Sequence, residues 1–462
     1  MTWFRRRTGI SRPVLVLFSI TLLHFLVASP QNLLLKNIPI SFLIITLFVV
    51  QSILLKMFLE ASNIKNKANS IPRAIDRIPA LQPLVFSLIF LATQMLTVQL
   101  RGLDGLLSLV EDPQSFAYYS LALRISDPLT YMREWLALMQ VPLLYWGGHL
   151  ATHFPGYPFM IYFGFHLFGA SPQSVIWLTI LLSTLALLPL FYLARLVYGS
   201  KAATVACVLY MSIPSVSMGL PYMESTVGIF TTTALLLFIR SLSSESKMSL
   251  SLLGGLIFSF ATFLTFASAS LLVPIVIVAI SARFWRKVST RLLSFISATF
   301  VPYLVAEVML GMPLYEAASW AFRTHNWFHY HLHSLGPSVW STEMSALLFF
   351  LLLGLPVCLV FLVAAFRGCS SLLRQTKTDT FALASSLMLL IVILLARLEL
   401  SRVALFTVVM LVTCVAGRVV RWKPEGSLYA NTLLLSFAQF LETYSYMSQA
   451  SMLSRSLGYP IV

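Results

Sequence analysis

Apolar residues in this chain come in long unbroken blocks, not in the alternating or three-four stripes of half-buried strands and surface helices. The blocks fall at roughly 13–29, 39–58, 82–100, 173–194, 202–220, 225–241, 249–266, 269–284, 291–310, 344–366, 378–397, 402–419 and 427–446. Runs of this length match the ~20 residues that carry an α-helix across a bilayer. A helix also satisfies all its backbone polar groups internally, which the hydrocarbon demands. The pattern therefore predicts an all-α integral membrane protein: a polytopic bundle of about 13 transmembrane helices.

Composition agrees, with 58% apolar residues, 10% charged residues and a mean hydropathy of +0.86. Soluble domains carry about 25% charge. The net charge of +15 would suit a nucleic-acid binder, but the basic residues fall in alternate loops, as the positive-inside rule requires. With the amino terminus in the cytoplasm, 23 of the 31 Lys and Arg lie inside, from Arg5, Arg6 and Arg7 through to Arg418, Arg421 and Lys423. The bilayer is then the partner this charge serves, and nucleic acid is not expected. The basic start "MTWFRRRTGISRPVLVLF" reads as a retained signal-anchor helix, since no small-residue cleavage site follows.

The charge pattern constrains one further stretch, "HFPGYPFMIYFGFHLFGAS" (153–171). Counting it as a crossing would move Arg195, Arg283 and Arg374 outside, so it reads as an interfacial or re-entrant helix on the outer face. Two large loops, 101–172 and 312–343, then face the exterior, with interfacial helices in the first. Three regions follow: a hairpin and basic cytoplasmic loop (1–81), a core (82–310) and carboxy-terminal helices (311–462).

The polar residues capable of chemistry gather in these outer loops. "SLVEDPQSFAYYSLALRISDP" (108–128) sets Glu111 beside Asp112 and follows them with Phe116, Tyr118 and Tyr119. One carboxylate could take a proton from an acceptor hydroxyl, and the other orient it or hold a divalent cation. Asp112 could equally be a helix N-cap with Pro113 at N1. Asp127 and Glu134 follow in "DPLTYMREW" and suit ordinary surface pairs with Arg124 and Arg133. Glu224 stands in "SVSMGLPYMESTVGIF", a short outer loop between two spans, facing water or a cavity. In the second loop, His329, His331 and His333 would share a face only in an extended segment. Arg323 beside them is a phosphate-ligand candidate, because its planar fork matches phosphate oxygens. "LARLELSRVALF" places Arg397, Glu399 and Arg402 at the outer ends of two spans. No phosphate-cradling glycine loop occurs, so an outer-face reaction must draw on a substrate already in the membrane.

The order of the acidic pair and aromatics, then "HFPGYPFMIYFGFHLFGAS", then "LPLFYLARLVYGSKAATVACVLYMSIPS" resembles the GT-C class of polytopic glycosyltransferases over roughly residues 82–310. These enzymes use polyprenyl-phosphate-linked sugars and include protein O-mannosyltransferases, the lipid A aminoarabinose transferase and oligosaccharyltransferase catalytic subunits. The resemblance implies that Asp112, with Glu111 beside it, is the catalytic carboxylate of the first outer loop. It also implies that the segment after it lies along the outer face. "SVSMGLPYMESTVGIF" is similar to the second acidic motif of oligosaccharyltransferases, with Glu224 alone where two acids are usual. The Trp-Trp-Asp motif of those subunits is absent from the sequence. "LELSRVALF" is similar to a Glu-x-x-Arg pattern near the last core spans, matching Glu399 and Arg402.

The expected function is transfer of a sugar from a polyprenyl-phosphate donor to an acceptor hydroxyl on a glycan, lipid or protein, on the extracytoplasmic face and with inversion. Asp112 and Glu111 would be catalytic. Glu224, Tyr118, Tyr119, His153, Arg323, Arg397, Glu399 and Arg402 would bind substrate. No cofactor is required; a divalent metal, if used, would sit on Asp112 and Glu224. A multi-pass plasma-membrane protein of a prokaryote, with a cytoplasmic amino terminus, is the expected setting. Two other functions compete. A transporter or lipid flippase would carry polar groups at mid-membrane depth, whereas here the spans are nearly charge-free. A non-catalytic GT-C-like assembly subunit would tolerate loss of every outer carboxylate.

Overall fold

The computed structural model describes residues 14, 16, 18, 19, 22, 38–67, 73–112, 116–140, 153–218, 221–242, 248–281, 285–334, 349–370, 377–396, 404–422 and 428–443. Its regular structure is helical throughout, with no strand among the described residues. Among the described residues, five helices are long and apolar enough to cross a membrane: Phe42–Ala61, Leu81–Arg101, Pro172–Tyr198, Met223–Ser241 and Val288–Leu310. Shorter apolar helices accompany them at Ser200–Met211, Met248–Leu264, Phe266–Ile280, Leu355–Gly368 and Thr380–Leu394. The chain is thus a polytopic membrane protein.

Helices α1 (Ile38–Lys67) and α2 (Arg73–Arg101) pair as a hairpin, and α1 also packs on the core. That docking includes a polar contact, Gln51 Nε2 donating to the Val208 carbonyl at 3.2 Å. At the end of α2, Gly102 takes φ +90°, a conformation open to glycine at little cost. The chain there turns out of the first core span into the short helix α3 (Leu103–Glu111). The outer loop continues through α4 (Ala117–Ala122), α5 (Pro128–Met139) and α6 (Gly156–Phe168). With 13 residues, α6 reaches about 20 Å, well short of the ~30 Å hydrocarbon core. The segment read from charge asymmetry as a non-crossing helix is a short helix that leads directly into the next span.

That span is α7 (Pro172–Leu185) continued by α8 (Leu187–Tyr198). The centre of the bundle is α9 (Ser200–Met211), buried at every position from Ala202 to Met211. A helix apolar on all sides belongs in the interior. It packs against α8, α1 and α18 (Val408–Arg421), itself buried over most of its length. After α9 come the short α10 (Pro214–Met218), a 3-10 turn at Met223–Thr226 and α11 (Val227–Ser241). Then α12 (Met248–Leu264), α13 (Leu272–Ile280), α14 (Trp285–Leu310) and α15 (Leu314–Ser334) follow. The bundle is completed by α16 (Leu355–Ser370), α17 (Lys377–Ala396), α18 and a last helix over 428–443. Residues 329–333 lie within α15, so the alternating histidines are on a helix, not on an extended segment.

A second hydrophobic cluster stands apart from the main core. It joins Leu121, Ile125, Tyr131, Trp135 and Phe159 of the first outer loop to Met312, Leu314, Ala317 and Ala321 of the second. Arg133 Nε donates to the Leu310 carbonyl at 2.7 Å across the same junction. The described parts of the two loops, around 121–159 and 312–321, therefore pack together on one side of the bundle.

Candidate active site

The acidic pair closes a helix. Glu111 is the last residue of α3, and Asp112 follows as its C-cap, extended at φ −75° and ψ 112°. The Asp112 N–H bonds the Ser108 carbonyl at 3.1 Å, and its own carbonyl accepts from the Phe116 N–H at 2.7 Å. Residues 103–111 are amphipathic and bury Leu106, Leu109 and Val110, so a helix runs up to the acids. The extended Asp112 backbone and the bond from Phe116 also suit its reading as an N-cap, and residues 113–115 lie outside the described residues. Glu111 is exposed and Asp112 half-buried. The second Asp-Pro is an N-cap. Asp127 accepts from the Leu129 and Thr130 N–H groups at 3.4 and 2.9 Å and from the Thr130 hydroxyl, with Pro128 at the first helical turn. Those hydrogen bonds, the Thr130 hydroxyl foremost, hold its carboxyl below the ordinary range.

The aromatics behind the acidic pair are packed inward. Tyr118 and Tyr119 are buried, as is His153. Tyr118 stands 5.0 Å from Tyr157 and 6.3 Å from His153, centroid to centroid, and Phe116 packs edge-on to Tyr118 at 5.7 Å. Tyr119 packs on Phe165 of α6 at 5.9 Å. Burial, followed by the nearby charge of Glu111, pushes the Tyr119 phenol up from 10.0. The His153 carbonyl accepts from Trp135 Nε1 at 3.2 Å. These buried rings form a wall that seats α4 against α6. Sequence reading missed Tyr157 and Trp135 in this wall; the spacing of "HFPGYPF" gave no sign of which ring faces inward.

Glu224 is 2% exposed, in the Met223–Thr226 turn. That turn packs on α7, on the start of α11 and on the 3-10 turn Ala404–Thr407. Gly228 permits the last approach: a Cβ there would stand 3.2 Å from the Val409 side chain. Helix α7 touches both α3 and the Met223–Thr226 turn, and it also packs on α2 and α6. One helix thus carries both acid-bearing elements. Arg101, at the end of α2, lies within electrostatic reach of Tyr222, the residue that caps the Glu224 turn.

Arg323 is exposed on α15, where its guanidinium donates to the Ser319 carbonyl and hydroxyl of its own helix at 3.4 and 3.2 Å. Arg397, Glu399 and Arg402 lie outside the described residues. Among the described residues, no group of three or more His, Cys, Asp or Glu could hold a metal ion.

Residues 152–309 match the family described as dolichyl-phosphate-mannose-protein mannosyltransferase. No curated protein sequence matches the chain. Among solved structures, it is similar to ArnT from Cupriavidus metallidurans bound to undecaprenyl phosphate, at 13% identity and a TM-score of 0.46, over 79% of this chain and 78% of that one. It is also similar to the Archaeoglobus fulgidus oligosaccharyltransferase tethered with an acceptor peptide, at 13% identity and a TM-score of 0.44. That likeness covers 74% of this chain and 55% of the other. The family match thus covers 152–309, from the outer-face helix α6 to the end of α14, within a polytopic helical membrane protein.

Proposed function

We propose that this protein transfers a sugar from a polyprenyl-phosphate donor to an acceptor hydroxyl on the extracytoplasmic face. The observation that carries the reading is the shared support of α7, which brings the element ending in Glu111 and Asp112 and the turn bearing Glu224 to one helix. The donor class comes from the description of the family matched by 152–309, and a lipid-linked sugar suits a chain without a soluble nucleotide-binding motif. The orientation, with the amino terminus in the cytoplasm, comes from the Lys and Arg asymmetry, and a prokaryotic plasma membrane is the proposed setting.

In this reading Asp112 accepts the proton of the acceptor hydroxyl. The hydroxyl oxygen attacks the anomeric carbon from the face opposite the leaving group, with inversion. The bond from that carbon to the phosphate oxygen breaks, and the electron pair leaves on the polyprenyl phosphate. Glu111 keeps the acceptor side acidic and accessible. Glu224 supplies a second carboxylate from the buried side, toward the sugar hydroxyls. Arg323, Arg397 and Arg402, with Glu399 as a partner for the last two, are the proposed cationic surroundings of the leaving phosphate. Tyr118, Tyr119 and His153 hold the wall behind the acids. A divalent cation, if one takes part, would draw on Asp112 and Glu224, and no step here runs through it.

The test is sugar transfer in proteoliposomes supplied with a pool of polyprenyl-phosphate sugars, comparing wild type with Asp112→Asn. Transfer by the wild type and a loss of about 10²-fold or more in the variant is the expected result. Equal transfer by both would move the base to Glu111 or Glu224. No transfer by a folded wild type with every donor supplied would refute the reading.

A further inference from the structure

The path from α9 to the Glu224 turn is interrupted twice. Pro214 begins α10 and Pro221 precedes the 3-10 turn, and neither residue has an N–H to donate. Such interruptions free main-chain carbonyls, and a buried carbonyl without a donor is costly in a membrane protein. Here three of these carbonyls are met by side chains from three other helices. Thr443 Oγ1 reaches the Ser212 carbonyl at 3.2 Å, sharing its one proton with the Gln439 carbonyl of its own helix at 2.9 Å. Gln94 Nε2 of α2 donates to the Val216 carbonyl at 3.4 Å. Thr179 Oγ1 of α7 donates to the Pro221 carbonyl at 3.3 Å and touches Met223 Sδ at 3.6 Å. All three donors are buried, with Thr179 and Gln94 at 0% exposure and Thr443 at 4%. The last contact falls three residues before Glu224.

We infer that Thr179, Gln94 and Thr443 are positioning residues that clamp α10 and the Met223–Thr226 turn, and so fix where the Glu224 carboxyl stands. The inference rests on Glu224 belonging to the proposed site. Thr179 is the member closest to it, and its place in α7 ties the Glu224 turn to the same helix that packs on α3. Its hydroxyl also meets the Val175 carbonyl of its own helix at 2.7 Å, so the single hydroxyl proton is divided between that carbonyl and Pro221 across the gap. Nothing in the apolar pattern of "VIWLTILLSTL" singles Thr179 out, because its partner is 42 residues away.

The experiment uses the full chain in detergent or nanodiscs with Thr179→Val, which keeps the shape and removes the hydroxyl, and Thr179→Ser, which restores it. Hydrogen–deuterium exchange of the peptide covering Met223–Thr226 is expected to rise about tenfold in Thr179→Val, with exchange in α12 and α14 unchanged. The kcat of sugar transfer should fall about tenfold while the KM for the donor holds, and Thr179→Ser should recover both. A general loss of fold would instead raise exchange everywhere. Unchanged exchange at Met223–Thr226 in Thr179→Val overturns the clamp, whether or not transfer is measurable. Glu224→Gln separates the two levels: if it leaves transfer intact while Thr179→Val loosens the turn, the clamp stands and the assignment of Glu224 to the active site falls.

Discussion

Gly156 opens α6 at the point where the outer-face helix meets the end of α12. A Cβ built there would lie 2.4 Å from the Phe263 carbonyl oxygen and 2.8 Å from the Leu264 Cα. Ordinary contact begins at 3.4 Å, so Gly156→Ala requires the two helices to separate by close to 1 Å. Both obstacles are main chain and cannot rotate away, which puts the cost toward the upper part of the ~1–3 kcal/mol range for overpacking. A chain of this size converts that into a fall of roughly 2–5 °C in unfolding temperature. The assay is thermal unfolding in detergent at a fixed scan rate, since membrane proteins commonly unfold irreversibly. Gly105→Ala is the control: Gly105 sits within α3 with nothing within 4 Å of its added Cβ, and there alanine should be neutral or stabilising. The displacement has a functional arm as well. Tyr157, the next residue, is fully buried against Tyr118 and His153, so shifting α6 disturbs the wall beneath Asp112 and should lower transfer. Equal melting of Gly156→Ala, Gly105→Ala and wild type would refute the close approach on which the seating of α6 depends.

Glu442 and Asp127 supply further tests. The Glu442 carboxylate, 2% exposed, accepts the Leu355 N–H with both oxygens at 3.1 and 3.0 Å and caps α16 after the turn at Gly354, where φ is +88°. Glu442→Ala strands that buried amide and should cost about 1–3 kcal/mol, while Glu442→Gln keeps an acceptor and should lose less; identical melting of the two variants would refute the cap. Asp127 has a folded pKa below its ordinary 3.8, so its contribution is full above that value and fades as pH falls through the folded one. The stability difference between wild type and Asp127→Ala, followed by unfolding temperature from about pH 5 down to pH 2, should therefore shrink toward zero. A difference that is constant over this range would rule out the charged cap.

Much of the architecture was legible before any coordinates, because the bilayer imposes it residue by residue. Apolar blocks such as 82–100 and 291–310 must be helices for their backbone groups to be satisfied, and they appear as Leu81–Arg101 and Val288–Leu310. Charge asymmetry alone marked 153–171 as a segment that does not cross, and α6 is indeed too short to do so. The acids of the candidate site were legible by their mere presence in a chain with 10% charge. What the one-dimensional pattern could not supply was depth and direction. It offered Asp112 as a possible helix start but gave no sign that amphipathic residues 103–111 form a helix ending at the acids. It read Phe116, Tyr118 and Tyr119 as a sugar-binding wall or an interfacial belt but could not show that the rings are buried. In each case the deciding term is packing against partners far along the chain, which local propensity does not encode. The same is true of the support for Glu224. Sequence by itself determined that this protein is a helical membrane bundle, because solvation acts on each segment separately. Only the tertiary structure decided that α7 joins the acid-bearing elements, and that Thr179, Gln94 and Thr443 satisfy carbonyls 42, 122 and 231 residues away. Those contacts exist only once distant helices have closed on one another.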